Sequence, residues 1–201
     1  MDHMVTFTGL DFDPGSPAAH MLGLYDIAHA LSQTCRFAGH TQEFYSVAQH
    51  SGLVAACLPA GLKKWGMLHD AAEAYLGDVP SPAKCLLPDY REMEARILRV
   101  VAAVWGLPWP MPAVIHEADQ RVYQLELRFV LRPTEADLRA QPGYINPLRP
   151  PDAHRQFLRR WESAVFDDDG ADYCNCWADD SPDPRCQTCG GAGFLPVEGG
   201  A

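Results

Sequence analysis

The chain has 201 residues, with 16 basic and 26 acidic side chains, a net charge of −10 and 47% hydrophobic residues. That length suits one domain with a substantial core. With no apolar run near the ~18 residues that span a bilayer and no basic-then-apolar leader, the sequence reads as a soluble cytoplasmic protein. The charge is uneven: Asp167 to Ala201 holds eight acids and one Arg, leaving 18 acids against 15 bases elsewhere, a near balance that argues against the basic face a nucleic-acid polymer needs.

Residues 1–23 hold Phe7-Thr-Gly9, Asp11-Phe-Asp-Pro-Gly15 and Ser16-Pro17, turn signals without a period, and read as an irregular arm with room for a short strand pair. Asp26 marks the start of a helix through Leu31, and Ser32 to His40 carries Gly39 and no helical pattern. Thr41 is the expected N-cap of a second helix, in which Phe44, Val47, Ala48, Ser51, Val54 and Ala55 recur at helical spacing until Pro59 and Gly61; His50 lies on it. A third helix, about Leu62 to Tyr75, opens with Lys63 and Lys64, read as solvated, and carries the doublet His69-Asp70.

Asp89 caps a helix through Val104 whose apolar stripe is Met93, Ile97, Val100, Val101 and Val104. Pro112 fits the first turn of the next, Ala113 to about Leu131, with Ile115, Val122, Leu125 and Phe129 inward and Asp119 near that face. A Pro/Gly-rich connection from Arg132 to Pro151 precedes a last helix capped by Asp152, on which Phe157, Leu158, Trp161 and Val165 pack inward. No run alternates with strand period. The expected fold is an all-α bundle of five or six helices over 24–166, between the arm 1–23 and an acidic tail 167–201.

The chemistry concentrates at Trp65 to Pro80. On a helix His69 and Glu73 are four apart and Asp70 and Glu73 three apart, so all three lean toward one flank. Consecutive helical residues point about 100° apart, so a metal takes both His69 and Asp70 only over the edge between them, with further ligands from other helices. Asp78-Val-Pro80-Ser-Pro82 must leave the helix, because each proline expels the preceding residue from the α region, and Asp78 sits on a rigid turn. Taken singly, each group has a plainer reading: Asp70 and Asp119 as solvated carboxylates, His50 and His69 as packed imidazoles, Asp78 as a turn brace.

Taken together, His50, His69-Asp70 and Asp119 on three helices resemble the His…His-Asp…Asp pattern of the HD-domain metal-dependent phosphohydrolases. Asp26-Ile-Ala-His-Ala-Leu-Ser32, Arg36-Phe-Ala-Gly-His-Thr41, Phe44-Tyr-Ser-Val-Ala-Gln-His-Ser51, His69 to Asp78 and Pro80-Ser-Pro-Ala-Lys84 extend the match over most of residues 24–131. They are similar to a bacterial and phage branch containing HD-type 5'-deoxyribonucleotidases and phage deoxyadenosine triphosphate triphosphohydrolases.

The resemblance implies an HD-domain helical bundle in which His50, His69, Asp70 and Asp119 hold a divalent ion. Two imidazoles and two carboxylates suit Co, Mn, Fe, Ni or Zn better than Ca or Mg. It also implies Glu73 and Asp78 as catalytic carboxylates, Arg36 and Lys84 as phosphate contacts, Phe37 against the sugar and Pro82 walling the base. Relatives often carry Trp at the Phe37 position, so the preference for deoxy over ribo substrates is less secure here. The implied activity is hydrolysis of a deoxynucleoside monophosphate to nucleoside and phosphate by metal-activated water attacking the α-phosphorus. The alternatives are a dNTP triphosphohydrolase releasing triphosphate and, from another class, a catalytically silent nucleotide sensor. The partner is a small-molecule nucleotide, with no membrane and no nucleic-acid polymer; the resemblance also allows a homodimer.

Cys35, Cys57 and Cys85 are scattered through the body, as suits reduced thiols. Cys174-Asn-Cys176 and Cys186-Gln-Thr-Cys189 form a C-x-C…C-x-x-C set whose second half is similar to the half-site of DnaJ-type zinc modules. It is either a closed structural zinc knuckle or four incidental thiols in an acidic tail.

Overall fold

A computed structural model describes residues 3–132 and 145–166, together with 177–178 and 181–182. The four tail cysteines lie outside the described residues. The architecture is mostly helical. Strands β1 (Met4–Val5) and β2 (Asp11–Phe12) pair antiparallel, then α1 (Leu24–Gln33), α2 (Val47–Ala56), α3 (Lys63–Leu68), α4 (Glu73–Leu76), α5 (Ser81–Lys84), α6 (Pro88–Val104), α7 (Ala113–Glu126) and α8 (Pro150–Phe166) follow. The short strands Trp177–Ala178 and Ser181–Pro182 also pair antiparallel. No described helix is long and apolar enough to cross a membrane.

The N-terminal arm is tied down by one buried carboxylate. Asp26, in the first turn of α1, accepts from both the backbone N–H and the hydroxyl of Thr8 at 2.7 Å. Phe12 from β2 stacks on Tyr75 at a 3.9 Å centroid distance, and Phe7 stacks on His29 at 3.7 Å. These contacts convert an apolar, turn-rich stretch into a lid over α1 and α4.

Helix α2 is the centre of the bundle. Nine of its ten residues are buried, and it packs against α1, α3, α7 and α8. A helix rich in Ala, Ser, Gly and Val lets neighbours approach on every side, as a helix buried all round requires. Its N-cap is Ser46, whose Oγ accepts from Gln49 N at 3.2 Å, and not the expected Thr41. Residues before Ser46 are drawn out of helix because Arg36 N bonds Tyr45 O and Val47 N bonds Thr34 O, an extended pairing with the end of α1. Phe44 is accordingly outside the helix and exposed.

The expected Leu62–Tyr75 helix is divided. Between α3 and α4 the bonds run Ala71 N to Leu68 O and Glu73 N to Asp70 O, three residues back, so the rod is tightened through the doublet. Lys63 is buried rather than solvated, while Val104 and Val165, expected to face inward, are exposed at helix ends. Ile97, Val101, Ile115, Val122 and Phe157 are buried as their spacing requires. Helix α7 reaches Glu126, after which Leu127–Leu131 widens into a π turn, with Arg132 N bonding Leu127 O. Within the stretch expected to lack helical pattern, Arg36–Gly39 forms a tight turn in which Phe37 and Ala38 adopt φ of 57° and 52°.

Candidate functional site

The site begins with a backbone contact. A Cβ at Gly66 would lie 2.5 Å from Ala55 Cα and 2.8 Å from Ala55 N, so only glycine allows α3 to seat against α2 at this depth. That approach carries His69, at the end of α3, to His50 on α2. Their Nε2 atoms stand 3.2 Å apart, and both rings are buried.

The far nitrogen of each ring determines what the near one offers. His69 Nδ1 lies 2.7 Å from Gly66 O, which can only accept, so Nδ1 donates. His50 Nδ1 lies 2.6 Å from Glu126 Oε1, a carboxylate held below its ordinary pKa because His50 and Arg36 outweigh the effect of burial. In their neutral forms both imidazoles therefore direct an Nε2 lone pair at the same point. Two lone pairs facing at 3.2 Å repel unless a proton or a cation lies between them. Burial opposes the charged form of His69, yet Asp70 beside it raises its pKa to about 9.

Two carboxylates complete the convergence. Asp119 Oδ1 is 3.1 Å from His50 Nε2, and Asp70 Oδ2 is 3.2 Å from His69 Nε2 and 3.6 Å from His50 Nε2. Burial would raise both acids, but the imidazoles, joined by Arg36 at Asp70, hold Asp70 far below and Asp119 below the usual carboxylate range. His50, His69 and Asp119 form a group that could hold a metal ion, their ligand atoms lying within 4.8 Å of one another. Bonds of ~2.0–2.1 Å to a first-row ion put neighbouring donors ~3.0–3.4 Å apart, which the His50–His69 and His50–Asp119 separations match; Asp70, expected as a fourth ligand, touches both imidazoles but falls outside that group of three.

Above the cluster opens a cleft of about 550 Å³ lined by Arg36, Phe37, Asp70, Glu73, Asp78, Pro82, Lys84 and Asp119 among others. The predicted substrate and catalytic positions thus share one cavity, with the histidines buried beneath it. Arg36 is 9% exposed; its Nη2 donates to Glu126 Oε2 at 3.0 Å, Nη1 is 3.6 Å from Asp70 Oδ2, and Nε is buried without a partner among the described residues. Glu73 is 3% exposed: Oε1 accepts from Lys84 Nζ at 2.8 Å, and Oε2 is likewise buried without a partner among the described residues. Burial, then the charges of Asp70 and Asp78, push the Glu73 carboxyl well above its ordinary value against the pull of Lys84.

Lys84 also donates to Glu94 Oε1 at 2.7 Å, so the ammonium expected to meet phosphate is engaged by two carboxylates. Asp78 braces a turn, though not its own: Oδ2 accepts from Phe37 N at 3.1 Å, across the cleft mouth. That bond helps hold the left-handed backbone of Phe37, which places Arg36 below and the Phe37 ring at the rim, 5.0 Å from the Arg36 guanidinium carbon. Pro82 stands exposed at the cleft edge.

Sequence reasoning missed Glu126. It is fully buried and accepts from Arg36, His50 and, at 2.8 Å, the Tyr45 hydroxyl. Its signal was its place seven residues after Asp119, two turns along the same face of α7. Gln120 and Tyr123, also on α7, line the cleft and were not singled out either; Tyr123 lies 6.2 Å from the Phe37 ring.

No family model matches the chain. It is 41% identical over 128 residues to the uncharacterized protein YfdR of Escherichia coli strain K12, covering 64% of this chain and 72% of that one. It is also 36% identical over 121 residues to an uncharacterized protein of Rhodobacter capsulatus, covering 55% of this chain and 62% of that protein.

Proposed function

We propose that this chain, which belongs to the family of the uncharacterized Escherichia coli protein YfdR, is an HD-type metal-dependent phosphohydrolase acting on deoxynucleoside 5'-monophosphates. The observation that carries the reading is the convergence of His50 and His69 Nε2 with Asp70 and Asp119, both imidazoles oriented from behind, at the floor of a cleft. A divalent Co, Mn, Fe, Ni or Zn ion held by these four residues would supply Lewis-acid polarisation of a phosphoryl oxygen and lower the pKa of water toward neutrality.

The chain's own residues account for the remaining roles. Arg36 offers its unpartnered Nε–H to a phosphoryl oxygen from a buried position, where a charge-assisted bond is strong. Glu73 Oε2, buried and unpaired among the described residues, is the atom to take a proton from the attacking water and return it to the leaving oxygen, and its raised pKa favours the uptake. Lys84 holds the other oxygen of Glu73 in place. Phe37 and Tyr123 narrow the mouth against water and present apolar faces to a nucleoside.

Charge supports one phosphate over three. Among the described residues the cations lining the cleft are Arg36 and Lys84, both already bonded to carboxylates, facing Asp70, Glu73, Asp78 and Asp119. A triphosphate would bring two more phosphoryl groups, for which the described residues supply no further cation. The test is incubation of Mn- or Co-loaded protein with each dNMP and dNTP, followed by chromatography of the products. Nucleoside plus phosphate is expected. Release of triphosphate would replace the reading by the triphosphohydrolase, and metal-dependent nucleotide binding without any turnover would replace it by the sensor.

A further inference from the structure

Glu126 is a fully buried carboxylate that neither lines the cleft nor belongs to the four converging donors, yet it touches a member of each half of the site. Its Oε1 accepts from His50 Nδ1 at 2.6 Å and from Tyr45 Oη at 2.8 Å. Its Oε2 accepts from Arg36 Nη2 at 3.0 Å. A buried acid costs a great deal unless its acceptors are used, and three donors from three separate segments use these. Tyr45 completes the fixation: its hydroxyl, itself buried, has the carboxylate as its partner and prevents Oε1 from turning away.

Resting on the metal-site reading above, we propose that Glu126 is a positioning residue that joins the metal site to the anion-binding arginine. One oxygen keeps the proton of His50 on Nδ1 so that Nε2 stays a ligand; the other fixes one edge of the Arg36 guanidinium, which lines the cleft. A carboxylate does both because it accepts at both ends. An amide cannot: in Glu126→Gln one end becomes an NH2 group, which must face a donor whichever way it is turned.

The experiment compares wild type, Glu126→Gln and Arg36→Lys, with zinc alone and then inorganic phosphate on the zinc-loaded full chain, both by calorimetric titration. Loss of a carboxylate behind a ligating imidazole weakens metal binding about 10–100-fold. Glu126→Gln keeps one accepting oxygen, so it is expected to lose zinc affinity by about that factor where its NH2 end faces His50, or phosphate affinity where that end faces Arg36, although it would touch neither ligand. Arg36→Lys is expected to lose phosphate affinity and keep zinc within about threefold. Wild-type affinity of Glu126→Gln for both zinc and phosphate overturns the proposal.

Should Glu126→Gln fail to fold, nitrogen-15 NMR of the histidines in zinc-loaded wild type decides. The proton of His50 on Nδ1 and zinc on Nε2 support the assignment, and the reverse overturns it. Failure of wild type to bind zinc at all is a separate result, which removes the metal-site reading itself.

Discussion

Replacing Gly66 by alanine tests the contact on which the site is built. The added Cβ would sit 2.5 Å from Ala55 Cα, 2.7 Å from Leu58 Cδ1 and 2.8 Å from Ala55 N. Carbon atoms in contact prefer ~3.5–4.0 Å, so α3 must retreat from α2 by about 1 Å or more. His69 rides at the end of α3, with its Nδ1 bonded to Gly66 O, so the 3.2 Å separation of the two Nε2 atoms opens beyond the ~3.0–3.4 Å that one ion spans. Overpacking of this kind costs about 1–3 kcal/mol, or about 2–12 °C in Tm for a chain of this size. Thermal denaturation in EDTA reads the first effect, and zinc titration by competition with a chelating dye reads the second, where at least a tenfold loss is expected. Gly61→Ala, with nothing within 4 Å of its new methyl, is the control and should stay within about 0.5 kcal/mol. Wild-type Tm and zinc affinity in Gly66→Ala would refute the reasoning.

Asp70→Asn should abolish turnover and weaken metal binding together while leaving the helical circular dichroism intact; activity surviving the change contradicts the assigned cluster. Asp78→Ala removes the acceptor of the Phe37 N–H and should cost about 1–3 kcal/mol, with faster hydrogen exchange at that amide as the specific sign. In metal-free protein the His69 pKa, raised from 6.5 to about 9, means that the folded state binds this proton more tightly than the unfolded one. The stability it contributes is complete below about pH 6.5 and is lost as pH rises through 9, so the urea midpoint in EDTA should fall across that window. A flat or rising midpoint would count against the assignment. For the tail, Cys174→Ser combined with Cys176→Ser should remove one of two zinc equivalents by elemental analysis and spare turnover; unchanged stoichiometry would rule the knuckle out.

Much of the architecture was legible in local pattern. Ile97 and Val101, Ile115 and Val122, and Phe157 repeat at the spacing that puts one face of a helix inward, and prolines at 59, 80 and 112 mark where helices cannot run, whereas Ser81 and Pro82, expected outside any helix, form the first turn of α5, where a proline's missing N–H costs nothing. The candidate ligand set rested on the resemblance to the HD-domain pattern, since His50, His69, Asp70 and Asp119 taken singly read as packed or solvated side chains. Helix faces and their breaks are what a short window of sequence determines by itself, through backbone sterics and periodicity.

Only the tertiary structure decided the rest, because it depends on atoms far apart in the chain. The cap moved from Thr41 to Ser46 because residues 34–36 compete for the backbone of 45–47. The Lys63 side chain is covered by neighbours that sequence spacing does not reveal. Asp78 met Phe37 across 41 residues, and Glu126 met Arg36 across 90, where a charge becomes tolerable only through partners that no window contains. Periodicity states which side of a helix is dry; whether an acid buried there is satisfied is settled by what packs against it.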